Sequence, residues 1–230
     1  MEAQRVLLAT SAFRGLVPAI RARVVPVYDY VLVTEPLGAE ARKALRWERR
    51  QGLSDVANQF HYYRLTADNR ILWGGYDVIY HYGGKVRPEF EQRPETFRTL
   101  AEHFFTTFPQ LEGVRFTHTW GGVIDTCSRF CAYFGTAYGG RLAYAAGFTG
   151  LGVGATRFGA EVMLDRLAGV ETERTRTAMV RTKPIPFPPE PLRYAGIELT
   201  RRSIAAADRN GGRRNPWLRA LDAVGMGFDS

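Results

Sequence analysis

Apolar residues in the first third of the chain fall in short runs and alternations, not at helical spacing. Arg5 to Thr10 (RVLLAT) reads as a buried strand, and Ser11 to Ala19 follows as a loop punctuated by Gly15 and Pro18. Arg23 to Pro36 (RVVPVYDYVLVTEP) alternates and is rich in Val and Tyr, which predicts a long strand. Pro26 marks an edge position or a bend near its start. Leu37 to Leu53 is polar and reads as a mobile connection. Asn58 to Asp68 and Arg70 to Gly75 predict a β-hairpin turning at Asp68-Asn69. On its first strand Phe60, Tyr62 and Arg64 share one face, and His61, Tyr63 and Leu65 the other. One of these faces meets solvent or a cavity. His61 reads either as a proton carrier or as a hydrogen-bonded structural histidine.

The second half changes period. Pro88 to Phe108 is predicted helical, with Phe97, Leu100, Phe104 and Phe105 as a core stripe opposite Glu91, Arg98 and Glu102. Gly113 to Gly122 alternates again as a strand. Leu142 to Ala146 is a short apolar run, broken by Gly147, Gly150, Gly152 and Gly154. From Ala155 the helical period returns, with Phe158, Val162, Leu164 and Leu167 on one side and Gly169 placed to end the helix. Beyond it the chain is charged to Thr182 and proline-rich from Lys183 to Pro191, extended and packed along a surface. Tyr194 to Arg209 reads as a helix burying Ile197, Leu199, Ile204 and Ala205, and Trp217 to Val224 as a last short one.

The glycine turn after Ala146 is the chemically suggestive stretch. A glycine turn feeding a helix N-terminus offers unpaired amides and the positive end of the helix dipole, which suits an anionic or electron-rich ligand. Thr149 could add a hydroxyl. The spacing G-x-x-G-x-G reverses the dinucleotide fingerprint, so an ordinary tight turn and a ligand loop both remain open from the residues alone.

Composition narrows the class. With 230 residues, 45% of them hydrophobic and 13% aromatic, the chain can bury a sizeable core. No apolar run approaches a membrane span and no signal peptide opens the sequence, so a soluble, cytoplasmic protein is expected. The net charge of +8 comes from arginines spread along the whole sequence without a dense basic block, so no nucleic-acid partner is expected. Cys127 and Cys131 lack C-x-x-C spacing, so neither zinc nor a disulfide is expected.

Ala145-Ala146-Gly147-Phe148-Thr149-Gly150-Leu151-Gly152, followed by a small-residue helix, resembles the last flavin-contacting segment of the FAD-dependent D-amino-acid-oxidase-like family. Glycine oxidase, sarcosine oxidase and the γ-glutamylputrescine oxidoreductases belong to it. Val6-Leu7-Leu8-Ala9-Thr10-Ser11-Ala12-Phe13 is similar to the segment closing the first pass of the family's FAD domain. Val25 to Leu37 resembles its crossing strand V-P-V-x-x-Y-V-L-x-T-E-P-L, and Trp120-Gly121-Gly122 its W-x-G.

The resemblance implies an α+β fold: a largely antiparallel substrate-domain sheet with flanking helices, plus the C-terminal part of an FAD-binding domain. Residues 1–30 would end the first pass of the FAD domain, 31–119 form the substrate domain, 120–170 return to the FAD domain, and 171–230 form a C-terminal extension. It implies FAD held by Ala9, Thr10, Gly147, Phe148, Thr149, Gly150, Leu151 and Gly152. The helix would point at the pyrimidine end of the ring and stabilise negative charge there. The flavin would be non-covalent, because the cysteine that carries it in some relatives aligns near Trp120 or Gly121.

In relatives that oxidise free amino acids, an arginine after W-x-G pairs with the substrate carboxylate. Here Ile124 and Asp125 follow instead, and an acid suits an ammonium. An amine or polyamine-like substrate is therefore expected, with Trp120, Asp125 and Tyr62 as contacts and hydride transfer from the amine-bearing carbon to the flavin giving an imine that hydrolyses. Asp125 reads equally as a turn cap, with Arg129 near enough to neutralise it. No acid–base catalytic residue is required if the amine binds neutral.

The G-x-G-x-x-G unit is missing, so the strands at Val6 to Thr10 and Leu142 to Ala146 are expected to lack their partners. The alternative reading is a non-catalytic fragment or a subunit needing a separate Rossmann half to bind FAD. A third is an arginine-rich polyanion-binding module.

Overall fold

The computed structural model describes residues 3–13 and 17–226; Gly15 lies outside them. In chain order, β1 (Val6–Leu8) and α1 (Pro18–Arg21) lead to the long β2 (Val25–Thr34). Next come α2 (Ala39–Leu45), β3 (Leu53–Ser54), β4 (His61–Leu65), β5 (Ile71–Gly75) and α3 (Pro94–Thr107). The remaining strands are β6 (Phe116–Thr126), β7 (Tyr133–Ala137) and β8 (Leu142–Ala146), followed by α4 (Gly152–Ala168). The C-terminal part carries α5 (Glu173–Arg176), α6 (Ala178–Arg181), α7 (Leu192–Arg209) and α8 (Pro216–Ala223).

The strands form two sheets. One is antiparallel throughout, in the order β3-β4-β5-β2-β6. The other is β1-β8-β7. The fold is therefore mixed α+β with a largely antiparallel sheet, as the family resemblance implies. The strands expected to lack partners instead find each other: Val6, Leu7 and Leu8 pair in parallel with Leu142, Ala143 and Tyr144. β7 covers the other edge of β8. A stretch of three residues next to a long connection gave no local sign of a partner so far along the chain.

β2 holds the larger sheet together, because β5 pairs it on one side and β6 on the other. The Tyr28 amide bonds Ile79 on the β5 side, beyond the point where β5 itself ends. Alternation turns the nitrogen of Pro26 to that same side, where β5 makes no pair, so its missing donor leaves no rung of the ladder broken. The face of β2 carrying Tyr28, Tyr30 and Leu32 packs on Trp73, Leu100 and Phe104, and all six are fully buried. Burial forces the polar atoms of the large rings to find partners: Tyr30 donates to the Phe90 carbonyl at 2.8 Å and Trp73 to the Leu100 carbonyl at 3.1 Å.

Four expectations need correction. The Pro88–Phe108 helix is two pieces, a 3₁₀ turn over Pro88–Glu91 and then α3, because Pro94 starts a new helix with its missing N–H at no loss. The polar stretch Leu37 to Leu53 contains α2 and, after it, Trp47, which is buried and stacks on Phe108. The strand read as ending at Gly122 continues to Thr126, since neither glycine interrupts the ladder with β2. Leu164 and Leu199 are exposed, while Gly159 and Met163 on α4 and Ser203 and Ala207 on α7 are buried. On α7 the buried positions are small residues, while on α4 burial falls one position earlier than expected, on Met163 and not Leu164.

Lys183 to Pro191 runs extended across the surface. Ile185 accepts from the Ser128 hydroxyl, and the Phe187 amide donates to the Ala22 carbonyl. α7 is fixed by Asp208, which accepts from Asn58 and from the amide of Gln59, and by Arg201 on Asp77 and Glu198. Cys127 is buried, Cys131 half-buried, and both are free thiols. Among the described residues no helix is long and apolar enough to cross a membrane.

Leu100 and Leu199 make a matched pair for testing this core. Leu100→Ala is expected to lower the unfolding free energy by about 2–5 kcal/mol, and Leu199→Ala by less than about 0.5 kcal/mol. Urea denaturation of the two variants against wild type measures both.

Candidate functional site

The stretch after β8 folds as strand, glycine turn and helix, with the helix starting three residues earlier than its apolar period shows. Gly147 and Gly150 take φ of 74° and 80°, the left-handed region that favours glycine. At Gly147 space also demands it: a Cβ there would lie 2.9 Å from Cys127 Sγ and 3.3 Å from the Tyr133 ring. Thr149 is left-handed too, at φ 52°, a costly conformation for a β-branched residue. It persists because the turn is tied down from outside. The Thr149 amide donates to the Asp125 carbonyl at 2.8 Å, and its hydroxyl donates to the Gly147 carbonyl.

Asp125 is the anchor of that turn. It is buried at 4% exposure near the end of β6, and its carboxylate accepts the Gly147 amide at 2.7 Å. The Phe148 amide and the Ser11 hydroxyl also bond it. Burial nonetheless raises its pKa above the ordinary carboxylate range, against these hydrogen bonds, which lower it. Arg129 does not neutralise it: that guanidinium is turned to the Met179 and Thr182 carbonyls.

Above the turn lies a cleft of about 290 Å³. Ala9, Ser11, Ile124, Asp125, Phe148 and Gly150 line it, with Gly152, Val153 and Thr156 from the first turns of α4. The N-terminus of α4 receives no side-chain cap and carries no acid in its first turn, and Val153 is 99% exposed. Seventeen residues of helix thus point free amides and positive dipole at an open, partly apolar surface.

Five residues expected at one site, Ala9, Asp125, Phe148, Gly150 and Gly152, do meet at this cleft. Gly147 lies beneath it, held by Asp125. Thr10, Thr149 and Leu151 belong to the same two segments but do not line it. Trp120 and Tyr62 stand elsewhere, on the face of the larger sheet opposite its core. Register fixes this: Trp120 is the partner of Val31, which in turn pairs Gly74, the partner of Tyr62. On that face the Tyr62 hydroxyl donates to Asp29 Oδ2 at 2.7 Å.

Sequence reasoning missed Ser11, Ile124, Val153 and Thr156 at the cleft, and Asp29 on the face that carries Tyr62 and Trp120. Ser11 sits inside a matched segment and could have been found. Asp29 also left a signal, as the one charged residue in the apolar run Val25–Thr34. His61 is hydrogen-bonded on both sides, to Asp55 at 2.6 Å and His103 at 3.0 Å, within the core of the larger sheet. Among the described residues no group of three or more His, Cys, Asp or Glu could hold a metal ion.

Residues 1–166 match the family described as FAD dependent oxidoreductase. The chain belongs to this family. It is 31% identical over 193 residues to the γ-glutamylputrescine oxidoreductase of Escherichia coli, a match covering 81% of this chain and 41% of that protein. To the probable oxidoreductase OrdL of Haemophilus influenzae it is 27% identical over 173 residues, covering 72% and 36%. Among solved structures it resembles L-proline dehydrogenase from P. horikoshii, with a TM-score of 0.60 at 19% identity, covering 74% of this chain and 44% of that one. Glycine oxidase from Geobacillus kaustophilus gives 0.59 at 17%, covering 80% and 46%. The chain spans well under half the length of the curated relatives it matches.

FAD is the cofactor of the family, and the residues present fit the ring end of it. A Cβ at Gly150 in the turn would make only van der Waals contact and one at Gly154, in the first turn of α4, would meet nothing, and the uncapped α4 N-terminus suits an electron-rich ring edge.

The raised pKa of Asp125 has a thermodynamic consequence. The folded state holds this proton more tightly than the unfolded one, so the stabilisation is fully present below the ordinary Asp range and lost as pH rises through the raised value. The stability gap between wild type and Asp125→Asn is therefore expected to narrow in urea titrations as the pH rises above the ordinary Asp range near about 4. A gap that widens with pH would show that the hydrogen bonds outweigh desolvation.

Proposed function

We propose that this chain forms the substrate side and the ring end of an FAD-dependent amine oxidoreductase acting on a putrescine- or γ-glutamylputrescine-like amine in the cytoplasm. The observation carrying this reading is the Asp125-anchored glycine turn, which presents an uncapped helix N-terminus to a cleft. The relative that is 31% identical, named for γ-glutamylputrescine, supports the substrate class. So does the absence of a carboxylate-clamping arginine after Trp120-Gly121-Gly122.

Bound FAD would supply acceptance of a hydride from the carbon beside the amine nitrogen, leaving an imine that water hydrolyses. The chain's own part is to bind and orient. Ala9, Thr10 and the segment Gly147 to Gly152 would hold the cofactor non-covalently, with the α4 dipole toward its electron-rich edge. Asp125 would keep the turn in shape while Trp120 and Tyr62 border the amine.

A second reading has a specific observation in its favour. β1 is an open edge strand, and its Val6 and Leu7 are 41% and 43% exposed. A bare apolar edge of this kind suits pairing with another strand. A separate FAD-binding half, docking there, would complete the site, and the chain alone would then be non-catalytic.

Titration with FAD, followed by flavin fluorescence and the visible spectrum, separates the two. Saturable binding at roughly micromolar level, with bleaching on adding putrescine, supports the first reading. No binding by a folded chain removes stand-alone catalysis. Val153→Glu puts an acid into the first turn of α4 facing the cleft, so FAD affinity is expected to fall about five- to tenfold while the melting temperature holds or rises.

A further inference from the structure

We infer that the ammonium group of the amine is held by Asp29, in a shallow site walled by Tyr62 and Trp120 and open above Gly122. The inference rests on the amine-oxidising reading and names the acid that recognises the amine.

Register places these residues together. Asp29 is the direct partner of Gly122 across the β2–β6 ladder, Val31 of Trp120 and Val27 of Ile124. Directly paired residues share a face, so Asp29, Trp120, Gly122 and Ile124 look the same way. Tyr62 joins them through its 2.7 Å hydrogen bond to Asp29 Oδ2. This face runs into the cleft, because Ile124 lines it and its Cδ1 lies 3.8 Å from the point where a Gly150 Cβ would stand.

Two independent features point to a ligand. First, Asp29 is half-buried, yet every group acting on it is neutral: the Tyr62 hydroxyl and the Tyr30 and Gly75 amides. Three donors leave one of about four carboxylate acceptor positions free. Burial raises the pKa of Asp29, and no positive group is among those that offset it. Second, the position across from it is vacant. A Cβ on Gly122 would meet nothing within 4 Å, and Gly122 is exposed. Beside this gap Trp120 is 39% exposed, and an indole face is the best aromatic wall for a cation.

Asp125 cannot serve in this way. Its oxygens are bonded by four donors, the Gly147, Phe148 and Asp125 amides and the Ser11 hydroxyl, one more than Asp29 has, and it is only 4% exposed. Asp29 also explains a selectivity. An uncompensated acid at the site repels a carboxylate beside the nitrogen, so a primary amine or diamine is preferred over an α-amino acid.

Calorimetric titration of the full chain with butane-1,4-diamine tests this, with butane-1,4-diol as the uncharged control. The diamine is expected to bind and the diol not to. Asp29→Asn should weaken diamine binding at least about tenfold. Gly122→Val, which keeps the acid but fills the gap, should weaken it as much while leaving circular dichroism, melting temperature and FAD binding unchanged. Asp68→Asn, at the exposed hairpin turn, should change nothing.

Unchanged diamine affinity in either Asp29→Asn or Gly122→Val overturns the assignment. So does equal binding of the diol, or no diamine binding by the folded wild type. Should Asp29→Asn fail to fold, Gly122→Val decides alone. FAD titrations on the same samples keep the two readings apart. Flavin binding without Asp29-dependent amine binding removes only the Asp29 site; amine binding without flavin removes only the flavin site.

Discussion

The carboxylate of Asp125 is the joint on which this structure depends. It sits near the end of β6 in the five-stranded sheet and grips the turn that leaves β8 in the three-stranded one. A buried acid is expensive unless its oxygens are satisfied, and the amides of Gly147 and Phe148 with the Ser11 hydroxyl satisfy it. In return the turn is held in a conformation that its own sequence disfavours at Thr149. This interaction thereby ties the two sheets together at the turn from which α4 starts.

The larger sheet works by division of its faces. On one, Tyr28, Tyr30, Leu32 and Trp73 build an aromatic core closed by α3. On the other, β2, β4 and β6 carry Asp29, Tyr62 and Trp120. Strand alternation couples the two: a slip of one residue in β2 would bury Asp29 in the core and expose Tyr30. The core therefore fixes the position of the polar face, and the ring hydrogen bonds to the Phe90 and Leu100 carbonyls lock the register.

The C-terminal segments are not a loose tail. The extended stretch from Lys183 bridges Ala22 and Ser128, and Asp208 and Arg201 clip α7 to the loop before β4 and to Asp77 after β5. Phe187 and Ile197 pack with Val25, Val27 and Ile124. They close one end of the face that carries Asp29 and so bound the space beside it.

By itself the sequence determined the long strand β2, the hairpin at Asp68-Asn69, the α3 stripe and the strand–turn–helix around Gly147. Each of these is a local period or a local turn requirement, visible within a dozen residues. The matched segments carried the family. Only the tertiary structure decided that β1 pairs β8, that β6 runs on through its glycines, that Trp47 is core, and that Asp125 caps a turn across 22 positions of chain. Those outcomes depend on which distant segment supplies a partner, and no local pattern encodes that. Asp29 shows the limit most clearly. Its charge inside an apolar strand was legible, but only the pairing with Gly122 and the bond to Tyr62 reveal which face it serves.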